Sequence, residues 1–175
     1  MNTKNNRRRQ ETVNKIENVF LEFLKEQELS QIKVTAICKK VGINRGTFYA
    51  NFMDVYDLAD KMHERLKKEV NALFEQDIKW QYTDAYFLKL FEHIKDNQTL
   101  YYFYFKLDYD DSYDLKLYDI CRTDYDIQNE HIDYHISFFK GGFNALVKKW
   151  LNSGCEKTPQ QMRDILLYEY RGRFE

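Results

Sequence analysis

The spacing of apolar residues constrains this chain more than any other feature. Near the amino terminus Val13, Ile16, Phe20, Phe23 and Leu24 recur at three- and four-residue steps, with Glu17, Glu22 and Lys25 between them. That period gathers apolar side chains on one face of a helix and leaves charge on the other. It returns near the carboxyl terminus. There Ile132, Ile136, Phe139, Phe143, Leu146 and Trp150 form one stripe, and Met162, Ile165, Leu166 and Tyr170 form a second. Little interrupts the pattern, because the 175 residues include only 1 proline and 6 glycines. The expectation is an all-α fold of about nine helices.

The punctuation between stripes divides the chain. A first amphipathic helix is predicted from about Arg9 to Glu26–Glu28, and a short one over Val34–Val41. Gly42 suits a positive-φ turn, and Asn44 suits the N-cap of a third short helix over Arg45–Asn51 with Phe48 and Phe52 inward. Asp54, with Asp57 in the first turn, starts a fourth helix that runs to about Phe74–Asp77. Thr83 caps a helix through Ile94, and Asn97 opens a strongly aromatic one containing Tyr101, Tyr102, Phe103, Tyr104 and Phe105. Residues 108–126 hold seven aspartates and read as a loop with a short helix over Leu115–Cys121. A long helix follows over Asn129–Asn152, stopped by Gly154. Thr158-Pro159-Gln160-Gln161 is then a capping-box start for a last helix reaching Arg171. No flexible linker intervenes, so the modules meet at Met53–Asp54: a three-helix module over 1–53 and a larger helical one over 54–175.

Charge follows the same division. Residues 1–53 carry 10 Lys/Arg against 5 Asp/Glu, and residues 54–175 carry 17 against 23, which recovers the net charge of −1. A basic end on an acidic body turns the first third toward a polyanion. Cys38, Cys121 and Cys155 are odd in number and lack C-x-x-C spacing, which argues for a reducing, cytoplasmic setting and against structural zinc. The start MNTKNNRRRQ has no apolar core of a signal peptide, and no stretch is apolar enough to span a membrane. His131 and His135 share a helix face, with no third metal ligand at a defined spacing. No phosphate loop, nucleophile elbow or H-E-x-x-H pattern occurs, so neither an enzyme nor a cofactor is expected.

A short helix on a rigid apolar back is what the DNA major groove accepts. The helix after Gly42 has Phe48 and Phe52 as the back. Arg45, Gly46, Thr47, Tyr49 and Asn51 face outward: Gly46 allows close approach, Arg45 can reach guanine, and the others can bond phosphates or base edges. The stretch VTAICKKVGINRGTFYANF, Val34 to Phe52, resembles the DNA-binding motif of the TetR family of transcriptional regulators, and the likeness extends over about residues 9–60. The resemblance implies a helix-turn-helix domain with DNA contacts from Lys33, Val34, Thr35, Asn44, Arg45, Gly46, Thr47, Tyr49 and Asn51. Two positions depart from the family pattern. Lys33 stands where a threonine cap is usual, and Val55 stands where a phosphate-binding lysine is usual. The basic arm of Lys4, Arg7, Arg8 and Arg9 has two readings: a compensating contact to phosphates or the minor groove, or a disordered, solubilising tail.

The rest of the chain resembles the family's regulatory domain more weakly. The segment FFKGGFNALVKKWLNSGCEKTPQQM is similar to regulators found in Gram-positive bacteria. The resemblance implies a homodimer, with Phe139, Phe143, Leu146, Trp150, Met162, Ile165 and Leu166 at its interface. It also implies an effector pocket, with Tyr86, Leu90, Tyr101, Tyr104, Phe105 and His135 or His131 as its candidates. The implied function is a ligand-responsive repressor on palindromic double-stranded DNA. The alternative is an activator or adaptor controlled by a protein partner.

Overall fold

The computed structural model describes residues 3–74, 84–109 and 131–171. Among them are eight α-helices and a 3-10 turn, and no strand. The helices are α1 (Thr3–Glu26), α2 (Val34–Val41), α3 (Arg45–Tyr49), α4 (Val55–Phe74), α5 (Asp84–Asp96), α6 (Gln98–Lys106), α7 (Ile132–Asn152) and α8 (Pro159–Arg171), with the 3-10 turn at Leu29–Gln31. Thr83, the aspartate-rich loop beyond Tyr109 and its helix at Leu115–Cys121 lie outside the described residues. So do the side chains of Ile132, Ile136 and Tyr170. The chain divides into two compact units, Met1–Arg65 and Leu66–Glu175, so the first turns of α4 belong with the N-terminal helices.

In the N-terminal unit the expected stripe is the core. Ile16, Phe20 and Leu24 of α1 are buried, together with Ile37 and Cys38 of α2, Phe48, Phe52, and Val55, Leu58, Ala59 and Met62 of α4. One charge is enclosed as well: Glu17 is buried and accepts from Arg65 Nη1 at 2.7 Å. Glu17 is the enclosed member of the pair, so loss of the Arg65 contact would weaken the compensation of a buried carboxylate. α1 begins at Thr3, earlier than its apolar period predicts. Polar links extend it instead: Arg7 Nε pairs with Glu11 at 3.1 Å and Gln10 bonds Asn14 at 2.9 Å, both across four residues. Such pairs support a helical turn without any apolar signal.

α2 ends at Gly42, whose φ of +77° is the left-handed conformation. The amides of Gly42 and Ile43 both donate to the Cys38 carbonyl, at 2.9 and 3.0 Å, and close the helix. Val55, one of the two departures from the family pattern, is buried in this core.

In the C-terminal unit α5 packs along α8 and α6 along α7. Phe91 sits at its centre, fully buried, with the Phe143 ring 5.9 Å away and the Trp150 ring edge-on at 5.6 Å. Trp150 Nε1 donates to the Lys157 carbonyl at 3.0 Å, so its one polar atom is satisfied. α8 starts as expected: the Gln161 amide donates to Thr158 Oγ1 at 3.2 Å, and the Thr158 amide to Gln161 Oε1 at 2.9 Å.

The residues expected at a dimer surface are mostly covered within the chain itself. Phe139, Phe143, Trp150, Met162 and Leu166 are buried in this unit's own core, and Leu146 and Ile165 are half-buried. The most apolar stripe of each helix meets its neighbours within the chain. The residues left exposed are another set: Tyr134 (78%), Phe138 (63%), Gly141, Gly142 and Ala145 on α7, and Tyr168 (81%) on α8.

Candidate nucleic-acid interface

The surface around α3 is built on two caps. Asn44 Oδ1 accepts from the Thr47 amide at 2.8 Å and from Thr47 Oγ1 at 3.1 Å, which fixes the start of α3. A Cβ at Gly46 would lie 3.3 Å from that same oxygen, so glycine leaves the cap undisturbed. At the other end Asn51 Nδ2 donates to the Thr47 carbonyl at 2.9 Å, and Lys61 Nζ donates to the Asn51 carbonyl at 3.0 Å. Asp54 then caps α4: its Oδ1 accepts the amides of Tyr56 and Asp57 at 2.8 and 2.9 Å. Asp57 reciprocates by accepting the Met53 amide at 2.8 Å and pairs with Lys61 at 2.8 Å. The Lys61 hydrogen bond, helped by the Met53 amide, holds the Asp57 carboxyl below its usual range.

Phe48 has no exposure and stacks between Tyr49, edge-on at 5.7 Å, and Phe52 at 5.6 Å. With the back of α3 locked, its exposed side carries Arg45, Gly46 and Tyr49, with Thr47 and Asn51 half-buried. Lys33, Thr35 and Asn44 are exposed and Val34 is half-buried. Lys33 stands at the N-cap of α2 and makes no side-chain cap bond. Arg8, Arg9, Lys33, Lys39 and Arg45 have no ion-pair partner among the described residues, whereas Arg7, Lys40, Lys61 and Arg65 are paired. Exposed positive charge outside ion pairs, in the unit that bears α3, is the electrostatic requirement for a polyanion.

Cys38 is buried, its thiol 4.0 Å from the Asn44 carbonyl, and burial raises its pKa. It is a core residue of the α2–α3 junction.

The effector candidates are not assembled in the same way. Tyr86, Leu90, Tyr101 and Tyr104 are buried, Phe105 is half-buried beneath Lys148 Nζ at 5.2 Å, and His135 and His131 are exposed. The polar ends of two tyrosines are already engaged. Tyr104 Oη donates to the Tyr109 carbonyl at 3.2 Å, and Tyr101 Oη lies 3.0 Å from His93 Nδ1. Burial raises the Tyr101 pKa and keeps it a phenol, and burial lowers the His93 pKa, so the two share one hydrogen bond whose donor is set by the imidazole tautomer. Glu69, 4.0 Å from Nε2, faces the other side of the ring. The pattern of residues carried no sign of this pairing, because His93 and Tyr101 stand in different helices on either side of Asn97. It equally gave no sign of Lys61, or of a 2.8 Å bond between Arg9 Nε and Asn51 Oδ1 across 42 residues. Among the described residues no three metal-ligating side chains are brought together. No described helix is long and apolar enough to cross a membrane.

A family model described as a transcriptional regulator C-terminal region matches residues 81–168, half of the chain. The chain belongs to the TetR family of transcriptional regulators. Solved structures agree in fold. A TetR transcriptional regulator from Streptococcus agalactiae shares 22% identity over 97% of this chain and 98% of its own, with a TM-score of 0.65. The fatty acid degradation regulator FadR from Bacillus halodurans shares 15% over 94% and 96%, with a TM-score of 0.67. The dihydroxyacetone kinase operon activator DhaS shares 18% over 90% and 95%, with a TM-score of 0.58. No curated protein matches the chain. This TetR-family chain is thus a transcriptional regulator with the all-α fold expected of it.

Proposed function

We propose that this regulator binds a palindromic DNA site as a homodimer in the cytoplasm, each α3 occupying the major groove of one half-site. The observation that carries the reading is α3 itself. It is five residues long, capped at its start by Asn44, backed by a fully buried Phe48, and exposes Arg45, Gly46 and Tyr49. Arg45 reads a base edge. Thr47, Tyr49 and the start of α2 at Lys33, Val34 and Thr35 hold phosphates. Asn44 and Asn51 serve chiefly to fix α3, because their side chains are engaged within the chain.

The second copy docks on the exposed face of α7 and α8. Tyr134, Phe138, Gly141, Gly142 and Ala145 follow one another at helical spacing, and nothing lies within 4 Å of a Cβ placed on either glycine. Close helix approach with flanking aromatic anchors is what such a stripe offers a symmetric partner. Two recognition helices one helical turn of DNA apart need such a partner.

Family membership supports repression relieved by a small molecule held among α4–α7. Such control requires different effector affinities for the DNA-competent and incompetent states. The second reading is an activator or adaptor controlled by a protein partner; of it, activation alone has a counterpart among the structural neighbours, one of which is named as an operon activator. No cofactor or catalytic role enters either reading.

Selection on random duplex DNA tests the proposal. An enriched inverted repeat is expected, and Arg45→Ala should cost about 1–3 kcal/mol and relax one position per half-site. No enrichment from a folded, dimeric protein would overturn the reading.

A further inference from the structure

We propose that Arg9, held by Asn51, binds one DNA backbone phosphate in a cleft between α1 and the turn that follows α3. The proposal rests on the DNA-binding reading and adds a contact to it. Asn6, Arg9, Gln10, Asn51 and Lys61 line the cleft together with Val13 and Phe52, and no carboxylate lines it. Arg9 Nε donates to Asn51 Oδ1 at 2.8 Å. The Asn51 amide cannot turn over, because its Nδ2 donates to the Thr47 carbonyl at 2.9 Å. Its oxygen is therefore committed to Arg9.

A guanidinium has five N–H donors. One is used here, and the Nη1–Nη2 fork has no partner among the described residues. The fork is the part of arginine that matches a phosphate in two parallel bonds. Asn51 is neutral, so it orients the guanidinium without cancelling its charge. The neighbouring cations differ. Arg7 is paired with Glu11 at 3.1 Å, and Lys61, which also lines the cleft, is paired with Asp57 at 2.8 Å. Arg9 is thus an oriented cation, in no ion pair among the described residues, bonded to Asn51 just after α3. It supplies the phosphate contact that Val55, buried in the core, does not make. Asn51 acts through Arg9 and is a positioning residue.

The test uses the full chain and a labelled duplex carrying the selected inverted repeat, titrated over a range of salt. Arg9→Gln is expected to weaken binding on the order of tenfold and to reduce the log–log salt slope by about 0.9 per phosphate lost. The selected motif and the helical circular dichroism should not change. Asn51→Ala should weaken binding by the wild-type protein but add little in the Arg9→Gln background. An unchanged salt slope for Arg9→Gln, with wild type binding normally, overturns this contact and leaves the DNA reading intact. Failure of wild type to bind any duplex overturns both. Fully additive losses from Arg9→Gln and Asn51→Ala overturn the positioning role. Inorganic phosphate at matched ionic strength tests the other source of the same oxyanion. Competition against wild type but not Arg9→Gln would assign the cleft to free phosphate.

Discussion

The two units are made of the same amphipathic helix, yet they expose opposite surfaces. Around α3 the outside is polar and cationic, with Arg9, Lys33 and Arg45 in no ion pair among the described residues and the aromatics Phe48 and Phe52 turned in. On α7 and α8 the outside carries Tyr134, Phe138 and Tyr168, while polar groups such as Tyr101 and His93 turn inward and pair. A polyanion needs fixed charge in water, and a second copy or an apolar effector needs apolar surface left uncovered. The fold serves both because each helix has two faces, and the units turn different faces out.

The largest expected effects test whether the units are energetically separate. Phe48 and Phe91 are each fully buried, one per unit. Phe48→Ala and Phe91→Ala should each cost about 3–5 kcal/mol through lost burial and an unfilled cavity. Hydrogen exchange should then accelerate in α1–α3 for the first and in α5–α8 for the second. Equal acceleration in both units by either variant would break the comparison and make the chain one cooperative body.

The next test concerns the exposed apolar face. Phe138→Glu should weaken self-association by about 2 kcal/mol or more, read by sedimentation equilibrium, with little change in monomer helicity. Phe143→Leu should do the reverse: it perturbs a buried ring and lowers thermal stability while association persists. Dissociation by Phe143→Leu alone would return the interface to the inward stripe.

These two stripes show what could and could not be read from the chain. The features around α3 were legible because they are local. Gly42 ends α2, Asn44 starts α3, and Asp54 and Thr158 start α4 and α8, each through partners within a few residues. The buried backs of α1 and α3 were legible too, because each helix there has one apolar face. On α7 the periodicity gave the stripe correctly but not its destination, since a helix with aromatic residues on two faces can bury either one. The Arg9–Asn51 and Glu17–Arg65 bonds join residues 42 and 48 apart and leave no local trace. The start of α1 was missed for another reason, because polar i, i+4 pairs carry it.

A smaller effect sharpens the account of the α2–α3 turn. Gly42→Ala should destabilise the N-terminal unit by about 1–2 kcal/mol, because a Cβ disfavours its φ of +77° although space around it is open. Asn44→Ala should cost about 1 kcal/mol through the lost cap. Denaturation monitored by circular dichroism checks both. If Gly42→Ala proved neutral, the left-handed ending of α2 would not be required, and the rigidity assigned to α3 would have to come from Phe48 alone.

The smallest effect separates the units by pH. Burial lowers the pKa of His93 below its ordinary 6.5, against the opposing pull of Glu69 and Asp96. The unfolded chain therefore binds that proton more tightly than the folded one, and stability of the C-terminal unit is lost as pH falls through and below about 6.5. Asp57 in the N-terminal unit is also depressed, from an ordinary 3.8, mainly by its bond to Lys61. Its contribution is fully present above 3.8 and is lost only as pH falls below it. Between about pH 7 and pH 5, hydrogen exchange should therefore rise in α5 and α6 before it rises in α1–α3. His93→Gln should remove that step, and Asp57→Asn should leave it in place. A step that survives His93→Gln would mean that another group titrates in the C-terminal unit, and the inward pairing of His93 with Tyr101 would lose its energetic role.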